Sequence, residues 1–226
     1  FIKGVRKPEE YPLFIYNSAE LILILEKSHT NSAEIIAKQS MLPEAAQEKF
    51  FNLLLINELQ STNEIESIHS SEREISEALS KKDSDSPSLR RFAGMATLYS
   101  YLDKEVQILE PKDFRKIYDV LVADEVSKED ILDGEFFRKE SVSVYAGNDI
   151  IHHGLATEDD INNGLADLIR FMNYDNLPKL YKIFIGHYYF EYIHPFYDGN
   201  GRVGRYVLAK SLTSVVDIFT AITLSY

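Results

Sequence analysis

The 226-residue chain has no cysteine, which excludes disulfides, thiolate metal sites and cysteine nucleophiles. No run of residues is long and apolar enough to span a bilayer. Positive charge is scarce: 24 Lys and Arg against 36 Asp and Glu give a formal net charge of −12. With no basic stripe, direct nucleic-acid binding is electrostatically disfavoured. The pattern Gly-x-x-x-x-Gly-Lys-Ser/Thr is missing, which removes a kinase of the P-loop kind. Internal repeats and low-complexity arrays are missing too. Apolar content is not lacking: at 45% it suffices for one large domain, or for a core with a small helical annex. Together these features imply a soluble protein with no membrane or nucleic-acid partner, and the cytoplasm as its default location.

Apolar spacing predicts short helices over residues 18–28 and 32–40, then a long one from Pro43 to Gln60 with an apolar face of Ala46, Phe50, Leu53, Leu54 and Ile56. An acidic helix over 71–80 follows. The polar stretch from Lys81 to Ser88 has no periodicity and reads as a linker. It divides an N-terminal helical annex, 1–85, from a core, 86–226. Within the core, helices are predicted over 89–103, 111–123, 157–173 behind a Thr157 cap, and 177–193. Between Phe136 and His153 the period shifts to alternation: Val142, Val144 and Tyr145, then Ala146-Gly147-Asn148-Asp149, then Ile150-Ile151. That pattern predicts a β-hairpin, the one strand pair expected in an otherwise all-α fold. His152 and His153 read as surface loop residues rather than a metal pair, since adjacent side chains point apart and no acidic partner has ligand spacing. His69 and His187 read as structural or exposed.

The densest chemistry lies in His194-Pro195-Phe196-Tyr197-Asp198-Gly199-Asn200-Gly201-Arg202-Val203-Gly204-Arg205. Pro195 biases His194 away from helical geometry, so the apolar stretch ending at Ile193 should stop there and present an imidazole at a loop entrance. Gly199 and Gly201 permit close backbone approach, so the amides of Gly199, Asn200 and Gly201 can converge on an anion where the next helix begins. Arg202 and Arg205, three apart, lie on one helix face, and each planar fork can grip phosphate oxygens twice. Asp198 supplies one hard oxygen. That is too little for a protein-only cage but typical of magnesium, which keeps waters and shares substrate phosphates.

This stretch resembles the signature of the Fic family, His-Pro-Phe-x-Asp/Glu-Gly-Asn-Gly-Arg-x-x-Arg, and agrees at every defined position. The resemblance implies a Fic-like helical bundle with one β-hairpin flap over the active site. It also implies transfer of AMP from ATP to a hydroxyl side chain of a target protein or of the chain itself, with magnesium as cofactor. By the same resemblance His194 would be the general base and Asp198 the magnesium ligand. Gly199, Asn200 and Gly201 would stabilise charge on the α-phosphate, Arg202 and Arg205 would orient the β/γ end, and Phe196 would only pack. Val142, Val144 and Tyr145 would belong to the target-docking flap, whose edge can pair with an extended segment. Only Tyr206 to Tyr226 follows Arg205, shorter than the family's helical tail, which implies a core cut short at that end.

Upstream, Thr62-Asn63-Glu64-Ile65-Glu66-Ser67 resembles the family's inhibitory helix pattern, Ser/Thr-x-x-x-Glu-Gly/Asn, with Ser67 in place of Gly or Asn. Glu66 would pair with Arg205, keep that guanidinium from the γ-phosphate and repel the incoming triphosphate. The resemblance leaves room for two other readings: removal of AMP or transfer of another phosphate-bearing group on the same site, and a silenced nucleotide-binding interaction module. The sequence specifies no oligomeric state.

Overall fold

The computed structural model describes all residues except 1, 4–9, 81–86, 103, 105–106, 123–125, 175 and 226. Most of the expected linker, 81–88, therefore lies outside the described residues. The elements in chain order are β1 (Ile2–Lys3), β2 (Glu10–Tyr11), α1 (Ala19–Gln39), α2 (Glu44–Ile65), α3 (Glu72–Ser80), α4 (Pro87–Ser100), α5 (Pro111–Leu121), β3 (Ser143–Ala146), β4 (Asp149–His153), α6 (Glu158–Tyr174), α7 (Lys179–Ile193), α8 (Asn200–Leu212) and α9 (Ile218–Ala221). The fold is mostly helical, as the composition and periodicity require. Among the described residues no helix is long and apolar enough to cross a membrane.

The chain forms two compact units that interleave along the sequence. One holds Phe1–Tyr16 and Gln107–Gly204, the other Asn17–Val106 and Arg205–Tyr226. In the first, α5 opens on a capping box in which Glu110 and Asp113 exchange side-chain and backbone bonds around Pro111. Thr157 caps α6 through a 3.1 Å bond from the Asp160 amide, as its sequence predicts. The core of this unit is aromatic. Phe114 stacks on Phe190 at 5.3 Å between centroids, and Phe196 stands between Tyr118 at 4.1 Å and Phe137 at 5.7 Å. Phe196 is fully buried, so the loop after α7 is pinned into the core by one ring.

The expected hairpin is present, with β3 and β4 antiparallel around a turn in which Gly147 takes φ 61°. Its register slips by one residue between Val144 and Tyr145, a bulge that leaves Tyr145 and Ile151 exposed. Val142 lies one residue before β3 and accepts a 3.0 Å bond from the Gly154 amide. His152 and His153 are strand residues, not loop residues. The His152 ring packs on Tyr192 and its Nε2 donates to the Tyr192 carbonyl at 2.7 Å, while His153 Nδ1 bonds the Ser143 hydroxyl at 2.9 Å. A second, two-residue antiparallel pairing joins β1 to β2, which alternation over so short a stretch cannot announce.

In the second unit, α1 is one helix where two were predicted. His29-Thr30-Asn31 is polar but contains no Gly or Pro, and the Ser28 and Thr30 hydroxyls fold back onto the carbonyls of Ile24 and Glu26. The helix therefore has no reason to break. Helix α2 runs five residues past its predicted end, because Ser61 to Ile65 hold no breaker either. Its buried face, Leu55, Ile56 and Leu59, meets a core to which Ile75, Phe92, Met95, Tyr99, Tyr206 and Leu212 contribute. Glu58 on that face is fully buried. Its carboxylate accepts the amides of Leu224 and Ser225 at 3.0 and 2.8 Å and the Ser225 hydroxyl at 2.7 Å. Burial pushes its pKa above the usual carboxylate range against these three donors.

Candidate active site

Helix α7 ends at His194, whose φ and ψ of 52° and 63° are left-handed. Pro195 rules out a continued helix, and the left-handed turn, rather than the extended one proline usually imposes, carries the imidazole off the helix line. His194 Nδ1 lies 3.3 Å from the Glu191 carbonyl. A carbonyl can only accept, so Nδ1 carries the proton and Nε2 keeps its lone pair. Burial, aided by the positive charge of Arg138, pushes the His194 pKa from 6.5 down to about 4. The imidazole is therefore a neutral base through the whole physiological range.

Two consequences follow for pH. A folded pKa below the unfolded one means that the unfolded chain takes up the proton first, so stability contributed by His194 is lost as pH falls from 6.5 towards about 4. For activity, the acid limb set by His194 falls near pH 4 rather than 6.5. A kcat/KM profile on a Glu66→Gly protein checks this. A break at pH 6.5 that disappears with His194 would contradict it.

The loop after His194 is built by its own side chains. Asn200 Oδ1 accepts the Phe196 amide at 2.9 Å and its Nδ2 donates to the Phe196 carbonyl at 2.8 Å. The Asn200 side chain is thus a clasp, and what it leaves for a ligand is backbone. Gly199 has φ 81°, and a Cβ there would meet the Val122 methyls at 2.7 and 2.8 Å, so glycine is required twice over. The Gly199 carbonyl accepts the Val203 amide at 3.1 Å and opens α8, whose first amides, those of Asn200, Gly201 and Arg202, have no acceptor within the helix. Arg202 is 1% exposed and its Nη2 lies 3.2 Å from Asp198 Oδ2. Asp198 itself is about half exposed. Tyr197, next to Asp198 in the chain, donates to Asp133 at 2.9 Å and accepts the Glu140 amide at 3.2 Å, tying this loop to the segment before β3.

Arg205 and Glu66 meet in the other unit. Arg205 Nη2 lies 2.6 Å from Glu66 Oε1, its Nε donates to the Thr62 hydroxyl at 2.6 Å, and Nη2 also reaches the Thr62 carbonyl at 3.2 Å. Thr62 and Glu66 stand one turn apart on α2, so the motif spacing delivers both groups to one guanidinium. Glu66 caps the helix, and Ser67 follows at φ 59°. The Ser67 amide bonds the Glu64 carbonyl at 2.9 Å and the Ile68 amide the Asn63 carbonyl at 2.8 Å, which is a Schellman closure. A closure of this kind needs a left-handed residue after the cap, which explains the Gly or Asn of the pattern. Serine there costs about 1 kcal/mol. Ser67→Gly is expected to raise the thermal midpoint by about 2–4 °C. Thermal unfolding measures it, and a fall would show that the serine side chain, not the backbone, stabilises the turn.

Arg138 was not among the residues that motif reading singled out. It is fully buried, and its Nε donates to the His194 carbonyl at 2.8 Å, its Nη2 to the Ile193 carbonyl at 3.4 Å and its Nη1 to the Glu140 carbonyl. Burial pushes its pKa down to about 10. Only one signal pointed to it, the position of a lone arginine behind two phenylalanines in Phe136-Phe137-Arg138.

As to a metal, the described residues contain no group of three or more His, Asp or Glu able to hold one alone. A single half-exposed carboxylate beside an arginine and a helix start suits magnesium brought with phosphates, and Asp198 is the residue that would hold it.

The Fic/DOC family model matches residues 108–212, which run from just before α5 to the end of α8. A Fic family protein from Desulfovibrio desulfuricans has the same fold with a TM-score of 0.67 at 21% identity, over 92% of this chain and 63% of that one. A Fic domain-containing signaling protein from Bacteroides thetaiotaomicron gives 0.61 at 14% identity, over 82% and 72%. Fic-1 from C. elegans gives 0.61 at 15%, over 87% and 59%. The chain thus spans less than two thirds of the Desulfovibrio and C. elegans chains. The family match and the shared helical fold agree: residues 108–212 carry a Fic domain, of a family whose domains generally transfer nucleotidyl or phosphate groups to proteins.

Proposed function

We propose that the chain is a protein adenylyltransferase held inactive by Glu66, with residues 1–85 as the annex that carries the switch and 86–226 as the catalytic core. The observation that carries this reading is the Arg205 guanidinium engaged at 2.6 Å by Glu66 and at 2.6 Å by Thr62. With Nε and Nη2 so engaged, the guanidinium cannot present that edge to a phosphate.

In the active form His194 Nε2 takes the proton of an acceptor Ser, Thr or Tyr hydroxyl. The hydroxyl oxygen forms its bond to the α-phosphorus as the bond from that phosphorus to the pyrophosphate oxygen breaks, and the proton remains on the imidazole. The amides of Asn200, Gly201 and Arg202 face charge developing on the α-phosphate at the start of α8. Arg202 and the released Arg205 grip the β/γ end. Asp198 would hold magnesium, which neutralises phosphate charge when bound. The exposed edge of the hairpin, with Tyr145 outward, offers main-chain bonding to an extended target segment.

The test compares ATP labelled at the α- and at the γ-phosphate, with magnesium, a Glu66→Gly variant, and a cell lysate or the chain itself as acceptor. Label entering protein from the α position alone supports AMP transfer. Label from the γ position shows phosphoryl transfer instead, and label from neither moves the reading to another donor.

A further inference from the structure

His194 holds a left-handed backbone, a conformation that costs a residue with a Cβ about 1–2 kcal/mol and persists only where the surroundings over-determine it. Helices usually reach such a turn with glycine, and the cations that meet their last carbonyls usually come from exposed side chains near the C-terminus. Here the end of α7 is met by a guanidinium with no exposed surface, reaching back from the segment between α5 and β3. The Arg138 amide also donates to the Pro195 carbonyl at 3.3 Å, so one residue contacts the carbonyls of Ile193, His194 and Pro195 in succession. Burying an arginine is costly, and a helix C-terminus repays only part of that through its dipole. The expense is out of proportion to capping alone.

We propose that Arg138 is the positioning residue for the base: its planar fork clamps the carbonyls of Ile193 and His194 and so fixes the left-handed turn that aims the imidazole. The proposal rests on the reading of His194 as the base. Arg138 touches neither nucleotide nor acceptor in this account. It acts through His194. Gly154 is part of the same clamp, because a Cβ there would lie 2.5 Å from Arg138 Nη2 and 3.0 Å from His194 Cβ. Four groups face the imidazole: the Glu191 carbonyl from α7, Arg138, His152 from β4, and Asp198 from the following loop. Arg138 and His152 oppose its protonation, and Asp198 favours it.

The experiment uses the Glu66→Gly protein as parent and adds Arg138→Lys, Arg138→Gln or Gly154→Ala. Lysine keeps the charge but has no fork, glutamine loses the charge, and the alanine displaces the fork with Arg138 retained. In all three, kcat for AMP transfer is expected to fall about tenfold or more while KM for ATP stays within about threefold. The His194 imidazole, followed by NMR titration, is expected to move up by about half a pH unit in Arg138→Gln and by less in Arg138→Lys. Should Arg138→Gln not fold, Gly154→Ala and Arg138→Lys carry the kinetic test. A kcat within about twofold of the parent in folded variants overturns the proposal, and so does a raised KM with unchanged kcat. If the parent itself transfers nothing, the adenylyltransferase reading has failed. The titration then decides the clamp alone: equal midpoints in Arg138→Gln, Arg138→Lys and parent overturn it.

Discussion

His194→Ala, made in the Glu66→Gly protein, is expected to reduce AMP transfer by about 100- to 10,000-fold, the range in which a positioned general base acts. The loss should fall on kcat, with KM for ATP little changed, because the groups proposed to face phosphate sit on the start of α8 and not on the imidazole. The geometry makes the case specific. Nδ1 is committed to the Glu191 carbonyl, so Nε2 alone is available, and burial keeps it unprotonated down to about pH 4. His194→Asn is expected to keep the turn, since asparagine tolerates left-handed backbone, and to lose the rate all the same. Rapid-quench or steady-state labelling in these two variants separates a lost base from a collapsed loop. His194→Asn is expected to match the parent in thermal stability while losing the rate, and residual transfer within about threefold of the parent would remove His194 from the chemistry.

Glu66→Gly is expected to raise transfer by about 10- to 150-fold. The estimate comes from one charge-assisted hydrogen bond, about 1.5–3 kcal/mol, at about 1.4 kcal/mol per tenfold. Arg205 keeps its bonds to Thr62 after the substitution, and the pair is only partly buried, its side chains 14% and 24% exposed. The substitution therefore leaves no isolated buried charge, and the full cost of breaking a buried pair, about 3–5 kcal/mol, does not arise. Glu66→Gln retains the shape and a hydrogen bond without the charge, and an intermediate rate is expected from it. Activation by Glu66→Gly with none by Glu66→Gln would show that geometry, not charge, holds Arg205.

How far the sequence reached differs between site and scaffold. The run from His194 to Arg205 stood out because an imidazole, a carboxylate, a Gly-Asn-Gly turn and two guanidiniums lie within twelve positions. The Glu66 pairing was legible because Thr62 and Glu66 share a helix face, so one motif brings both to the same partner. Arg138 was not, since it reaches His194 across 56 positions and its partners are carbonyls, which every residue has. The Asn200 clasp was hidden for the same reason. Its role read as a backbone cradle, while the side chain bonds both ends of Phe196. No motif marks Glu58, and only the fold places the amides of Leu224 and Ser225 against it. In the scaffold, α1 and α2 ran past their predicted boundaries because polar residues interrupt an apolar pattern without interrupting a helix. Sharp breaks need Gly or Pro, and neither stands at 29–31 or 61–65, where the cap-type residues stay within the helix. The interleaving of the two units was beyond a linear reading, because α8 belongs to one unit up to Gly204 and to the other from Arg205.

The measurement that bears most directly on the account is labelling from α-³²P-ATP with magnesium by three proteins side by side: the chain as it stands, Glu66→Gly, and Glu66→Gly with His194→Ala. Faint labelling is expected from the first, strong labelling from the second and none above background from the third. Equal labelling by the first two would contradict the switch, and labelling that survives in the third would contradict the base.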